Sequence, residues 1–162
     1  MIAIAAVDKN GNIGNKGDLL FHIPEDMKHF RAQTLNKTVI MGRKTLDSFP
    51  NGKPLPKRRN IVLSRSPKEV DGAQFVTNTD ELMETIKGAE PNDVFVIGGE
   101  SIYTLLLPYC DTVFLTEVEA EADEADKKFP ELNREEWALS EQSDLTESNG
   151  YLFRICTYKR IS

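Results

Sequence analysis

The stretch Leu19-Leu20-Phe21-His22-Ile23-Pro24-Glu25-Asp26-Met27-Lys28-His29-Phe30 puts one carboxylate, Asp26, in the first turn of a helix that opens at Pro24. A first-turn acid complements the positive end of the helix dipole, and that ordinary role suffices for Glu25. Asp26 differs if its face turns inward, because Phe30 lies four residues on and Met27 and Ile23 flank the same side. A carboxylate against Phe30, Met27 and Leu19 is costly unless a donor pairs with it. A flat heterocycle with adjacent ring N–H and amino donors would satisfy both oxygens. His22 and His29 read as surface residues, with no carboxylate or metal partner at helical spacing. No GxSxG elbow is present, so hydrolase chemistry has no support.

Two junctions share a second pattern. Val39-Ile40-Met41 runs into Gly42-Arg43-Lys44-Thr45, and Val94-Phe95-Val96-Ile97 runs into Gly98-Gly99-Glu100-Ser101. In each, a buried strand ends in glycine and a helix begins, which leaves backbone N–H groups free to meet an anion. Such a glycine also serves a plain tight turn, so either junction alone is weak. Two together could hold the pyrophosphate of a dinucleotide at the carboxyl ends of strands. Gly11, Gly14 and Gly17 do not form GxGxxG. Leu63-Ser64-Arg65-Ser66 ends a further strand with hydroxyls around a guanidinium, which suits a phosphate monoester. No carboxylate for the ribose of NAD is evident, so these residues lean towards NADPH.

The elements that must position these groups alternate. The apolar runs Ile2–Val7, Val39–Met41, Ile61–Leu63, Val94–Ile97 and Val113–Leu115 are short and mostly unbroken, as in strands buried on both faces. Helical patterns lie between them, from Pro24 towards Leu35, after Gly42, over Thr79–Lys87 with Thr79 as N-cap, and from after Gly98-Gly99 to Leu107. Trp137–Leu139 and Tyr151–Tyr158 flank a polar turn, Asp144–Gly150, and read as core. The acidic loop from Glu117 to Lys128 has no periodicity. The expected fold is α/β. One domain over residues 1–162 has a mostly parallel twisted central sheet flanked by helices, with a C-terminal antiparallel hairpin on its edge.

Composition narrows the function. The 162 residues carry net −6, which argues against a nucleic-acid partner. The charge is segregated: Lys37–Lys68 holds nine basic residues against Asp47, and Glu117–Glu147 holds twelve acids against three bases. A positive segment in an acidic chain attracts a small polyanion, although a solvated basic face is the plainer reading. No apolar run approaches the ~20 residues of a membrane span, and no signal peptide is read. Cys110 and Cys156 form neither a CxxC pair nor a metal site, so a reducing, cytoplasmic setting without metal is expected.

Taken together, the chain resembles the bacterial dihydrofolate reductase family. The motifs are Ile4-Ala5-Ala6, Asn12-Ile13-Gly14, Ile23–Met27, Val39–Thr45, Pro54–Arg58, Ile97–Tyr103, and Asp126 with Phe129-Pro130, in order along nearly the whole chain. The resemblance implies reduction of 7,8-dihydrofolate to tetrahydrofolate by NADPH, with hydride passing from nicotinamide C4 to pterin C6 and N5 protonated, in a monomer. It implies that Asp26 is the catalytic carboxylate, supported by Thr116. Ile4, Ala5, Met27, Phe30, Phe49, Leu55, Ile97 and Tyr103 would line the folate pocket, with Arg58 on the tail α-carboxylate and Lys53 near a usually basic position. For the cofactor it implies Ala6, Ile13, Gly14 and Leu19 over the nicotinamide. Gly42, Arg43, Lys44 and Thr45 would meet the phosphates, and Leu63, Ser64 and Arg65 the 2′-phosphate. Ile97, Gly98, Gly99, Glu100, Ser101, Ile102 and Tyr103 would form the second junction, whose Gly-Gly bond is cis in the family.

Four departures stand out. Leu20-Phe21 replaces Pro-Trp, Phe49–Gly52 is longer, Ala125 replaces a glycine, and Glu100 adds a negative charge. A pyrimidine reductase of riboflavin synthesis is the nearest rival, but the Asp26 helix and Pro54–Arg58 favour folate. A non-catalytic NADPH sensor would bind cofactor without turnover.

Overall fold

The computed structural model describes residues 1–15 and 18–161, and the side chains of all of these except 15, 18 and 19. In chain order the strands and helices are β1 (Ile2–Val7), β2 (Asn12–Asn15), β3 (Asp18–Leu19), α1 (Pro24–Thr34), β4 (Thr38–Gly42), α2 (Arg43–Ser48), β5 (Arg59–Leu63), β6 (Ala73–Val76), α3 (Thr79–Thr85), β7 (Val94–Gly98), α4 (Glu100–Leu106), β8 (Thr112–Val118), β9 (Lys127–Lys128), β10 (Trp137–Gln142), β11 (Thr146–Ser148) and β12 (Tyr151–Arg160). The main sheet runs β10-β12-β8-β1-β7-β4-β5-β6, with β11 alongside β12. From β8 to β6 every pairing is parallel. The pairings of β12 with β8, β10 and β11 are antiparallel, as expected for the chain's ending.

The unbroken apolar runs follow from this sheet, because alternate side chains of one strand must fill two different layers. On one face Ala3, Ile40, Ile61 and Val96 pack with Leu82 of α3 and Tyr103 and Leu106 of α4. On the other, Ile2, Ile4, Val39, Met41, Val62 and Phe95 pack with Leu46 of α2 and Phe30 of α1. Helix α2 has only six residues and would not persist alone. Burying Leu46 contributes about 1.5–3 kcal/mol and ties it down.

Three local expectations are corrected, and one strand was not anticipated. Asn78, not Thr79, caps α3, because its side-chain Oδ1 accepts from the Glu81 N–H at 2.8 Å. The polar segment 144–150 is not all turn: Thr146–Ser148 pairs with β12, and the reversal is confined to Asn149-Gly150, both at positive φ. That Asn-Gly pair is a strong hairpin signal that the sequence reading passed over. The acidic loop ends in β9, which joins β2 and β3 in a small second sheet. Ala73–Val76 forms β6 on the sheet edge, although only Val76 of its residues is fully buried.

Candidate active site

The parallel strands bring their carboxyl ends into one row. Gly42 of β4 is level with Leu63 of β5, and Met41 pairs with Gly98 of β7. On the other side of β7 lies β1, whose Ala6 pairs with Thr116 of β8. Neighbouring strands lie about 4.8 Å apart, so the row from Ser64 and Arg65 to Thr116 is about 20 Å long. Ala5 and Ala6 are only half-buried at the end of β1, where the sheet opens.

Asp26 stands at one end of this row. The Thr116 hydroxyl donates to Asp26 Oδ1 at 2.5 Å, across 90 residues of sequence. Thr116 is fully buried in β8, so its hydroxyl is fixed by the sheet. Burial raises the Asp26 pKa above the ordinary carboxylate value, while the Thr116 hydrogen bond and the charge of His29 pull it down. Burial in turn lowers the His29 pKa, and Asp26 opposes that. His29 is therefore not a free surface residue. It sits three residues after Asp26, which is helical spacing, and its ring meets Phe114 edge-on at 6.1 Å.

Apolar walls flank the carboxylate. Phe30, Phe49, Leu55 and Ile97 are partly buried and pack on the cluster that contains Ile4. Met27 is 51% exposed, an apolar side chain left open to solvent beside Asp26. Arg58 caps the far end: its Nε donates to Thr34 Oγ1 at 3.0 Å and its Nη1 to the Pro56 carbonyl at 3.0 Å. Its guanidinium lies 5.9 Å from the Phe30 ring centre. Buried Asn60 holds the loop that presents Arg58 and Leu55. Its side chain accepts from Leu55 N–H and donates to the Leu55 and Arg58 carbonyls. The sequence reading missed Asn60, and a polar residue opening an apolar strand was its only signal. Lys53 is exposed after the Pro50–Gly52 turn; its N–H donates to the Pro50 carbonyl at 3.2 Å, and its side chain has no hydrogen-bond or ion-pair partner among the described residues.

The glycine junctions meet as neighbours. The Gly98-Gly99 bond is cis, and Gly98 has φ of +130°. A Cβ on either glycine would lie 3.6 Å from Thr45 Oγ1 of the other junction. A Cβ on Gly42 would come within 3.0 Å of Ile102 Cγ1, so glycine is what lets α4 approach β4. Tyr103 is buried beneath, with its hydroxyl donating to the Ile4 carbonyl at 2.7 Å, which leaves it supporting the junction rather than open to a ligand. Glu100 is half-buried at the start of α4, followed by exposed Ser101. Arg43 leans towards Asp47 at 3.8 Å, and Lys44 and Arg65 are exposed without ion pairs among the described residues. Ser64 Oγ accepts from the Ser66 N–H at 3.2 Å, while Leu63 is buried. Bare backbone at two adjacent strand ends, with cations on the third, fits a dinucleotide carrying an additional phosphate.

The small sheet lies over the end of β1. Gly14 of β2 pairs with Leu19 and Lys127, its carbonyl accepts from Asp126 N–H at 3.1 Å, and Ile13 packs on the main core. The Leu19 side chain lies outside the described residues. Asp8, absent from the sequence expectations, fastens this layer. Its carboxylate accepts from the N–H groups of Asn10, Asn12 and Ala122 and from the Asn12 amide, all within 2.9 Å. Burial alone would raise its pKa, but these four bonds outweigh it and hold the pKa low. The Asp8-x-Asn10-x-Asn12 spacing after a strand was the available signal. Among the described residues no group of three or more His, Cys, Asp or Glu could hold a metal, and no helix is long and apolar enough to cross a membrane.

Comparison with known proteins gives one consistent result. A family model described as dihydrofolate reductase matches residues 1–160. Dihydrofolate reductase of Bacillus subtilis is 38% identical over 160 residues, covering 97% of this chain and 92% of that protein. The Neisseria gonorrhoeae dihydrofolate reductase is 40% identical over 157 residues, covering 96% and 94%. Among solved structures, dihydrofolate reductase from Enterococcus faecalis in complex with NADP(H) and RAB-propyl superimposes with a TM-score of 0.88 at 32% identity, covering 99% of this chain and 96% of that one.

Proposed function

The chain belongs to the dihydrofolate reductase family, and from that premise we propose how its residues divide the NADPH-dependent reduction of dihydrofolate to tetrahydrofolate. The single observation that carries the assignment is the Asp26–Thr116 pair at the end of the strand row. Asp26 Oδ1 is occupied by Thr116, and Oδ2 accepts no hydrogen bond among the described residues. That oxygen is free to take a ring N–H or amino donor, which orients the pterin. Ile4, Phe30, Phe49, Leu55 and Ile97 wall the ring and exclude water, and Met27 closes over its open side. Arg58 takes the tail α-carboxylate with the guanidinium fork.

NADPH, when bound, supplies the hydride. Gly42, Gly98 and Gly99 offer backbone to its pyrophosphate, with Thr45, Arg43 and Lys44 beside them. Ser64 and Arg65 hold the 2′-phosphate. Ala6, Ile13 and Gly14 cover the nicotinamide end, where Asp8 and Asp126 secure the overlying strands. The chain's contribution is thus to align two rings and to hold an acid whose burial favours the protonated state near the site of proton uptake.

Loss of reduced-nicotinamide absorbance on adding dihydrofolate to protein and NADPH tests this reading. Dihydrofolate-dependent oxidation is expected. Cofactor binding without turnover would instead make the chain a dinucleotide-binding module.

A further inference from the structure

The sequence holds three Asn-Gly pairs, Asn10-Gly11, Asn51-Gly52 and Asn149-Gly150. Glycine after asparagine leaves the next backbone nitrogen unshielded by a side chain, so that nitrogen can reach the asparagine's own side-chain carbonyl. The fold treats the three nitrogens differently. The Gly11 N–H donates to the Asp8 carbonyl at 3.2 Å, and the Gly52 N–H to the Phe49 carbonyl at 2.8 Å. The Gly150 N–H has no acceptor among the described residues, because a two-residue turn with both residues at positive φ closes through the flanking pair, Ser148 and Tyr151. Asn149 and Gly150 are exposed, and a Cβ on Gly150 would meet nothing within 4 Å. Water and base therefore reach this pair freely.

The same asparagine has a structural task. Asn149 Nδ2 donates to the His22 carbonyl at 2.8 Å, across 127 residues of sequence. Next to it the Phe21 and Tyr151 rings meet with centres 5.0 Å apart. The bond thus ties the β11–β12 turn to the segment that leads into α1 at Pro24. We propose that Asn149-Gly150 is a self-modification site, at which spontaneous deamidation removes the tie on His22 as the molecule ages. The Gly150 nitrogen attacks the Asn149 side-chain carbonyl carbon. A ring C–N bond forms, the amide C–N bond breaks, and ammonia leaves with the proton that Gly150 gives up. Water then opens the ring at either carbonyl, giving aspartate or isoaspartate. Neither product keeps the amide donor, and each carries a carboxylate, which the His22 carbonyl oxygen repels. The segment before α1 then opens more easily.

The test incubates the full chain in mildly alkaline buffer and follows the three Asn-Gly peptides by mass spectrometry after digestion. The Asn149 peptide should convert first, gaining the mass difference between an amide and a carboxyl. Conversion at Asn10 or Asn51 as fast as at Asn149, or no conversion at all, would overturn the site. Hydrogen exchange reads the consequence. In Asn149→Asp the backbone amides of residues 21–23 should exchange about two- to tenfold faster than in fresh wild type, the scale of one lost hydrogen bond. Asn149→Gly accepts the positive φ, lacks the donor and cannot deamidate. It should show the same acceleration at once and no further change on incubation. Unchanged exchange in either variant would overturn the tie to His22.

Discussion

At the Asp26 end of the strand row, side chains hold one another. Thr116 donates to Asp26, Thr34 and Pro56 fix Arg58, and Asn60 ties down the loop between them. At the Gly98 end the fixed parts are backbone, and the cations Lys44 and Arg65 project without ion pairs among the described residues. The first region is therefore built to orient a ligand before it arrives. The second offers a shaped surface whose charges order when a phosphate supplies the counter-charge. Substitutions in the first region should act on turnover and orientation, and those in the second on affinity and cofactor choice.

Asp26→Asn is the most severe way to break the first region. It should lower turnover by about 10²–10⁴-fold, the usual scale for a lost acid–base group, with NADPH affinity unchanged. Its stability should move the other way. Burial raises the folded-state pKa of Asp26 above its unfolded value, so the folded chain favours the protonated form. That contribution is full below the unfolded pKa and is lost as pH rises through the folded pKa. At neutral pH the charge is unfavourable, and Asn should raise stability by about 0.5–2 kcal/mol, read from denaturant midpoints. Full activity in this variant would remove Asp26 from the chemistry.

Arg58→Leu comes next. Folate affinity should fall by about 2–4 kcal/mol, as for truncation of a charge-paired partner, while NADPH binding stays level. Unchanged binding of glutamate-bearing ligands would take Arg58 out of the site. Gly98→Ala attacks the second region at its backbone. The site has room, since the new Cβ would lie 3.5 Å from the Tyr103 ring, but φ of +130° strains any other residue, at a cost of about 1–3 kcal/mol. Loss of NADPH affinity with retained folate affinity is the expected pattern in titrations of each ligand.

The difference between the regions also decided what could be read from sequence. Strand–glycine–helix junctions and clustered cations are local patterns, so the row of strand ends and the dinucleotide preference were legible. Asp26 was legible as a position, but its partner Thr116 lies 90 residues away, and only the family resemblance joined them. Asp8 and Asn60 escaped because buried polar residues identify themselves by the bonds they make, which one sequence does not display. His29 was misplaced because its i−3 neighbour, Asp26, was considered separately from it.

That pair yields a smaller prediction for the first region. Thr116→Val removes a hydrogen bond that lowers the Asp26 pKa, and His29→Gln removes a favourable charge. Both should shift the pH–rate profile of hydride transfer to higher pH, and His29→Gln should do so without altering KM. Profiles superimposable on wild type would mean that neither residue tunes the acid.

Arg65→Ala sharpens the contrast from the other side with the mildest effect. Arg65 is exposed, and its side chain has no hydrogen-bond or ion-pair partner among the described residues, so its removal should leave stability within about 0.5 kcal/mol of wild type. In the proposed reading it makes one charge-assisted contact with the 2′-phosphate, which NADH lacks. The ratio of kcat/KM for NADPH over NADH should therefore fall by about tenfold, almost wholly through the NADPH term. The NADH term isolates the argument: a change there would mean that Arg65 shapes the surface as well as supplying charge. An unaltered ratio would move the preference to Arg43 or Lys44, which flank the neighbouring strand end.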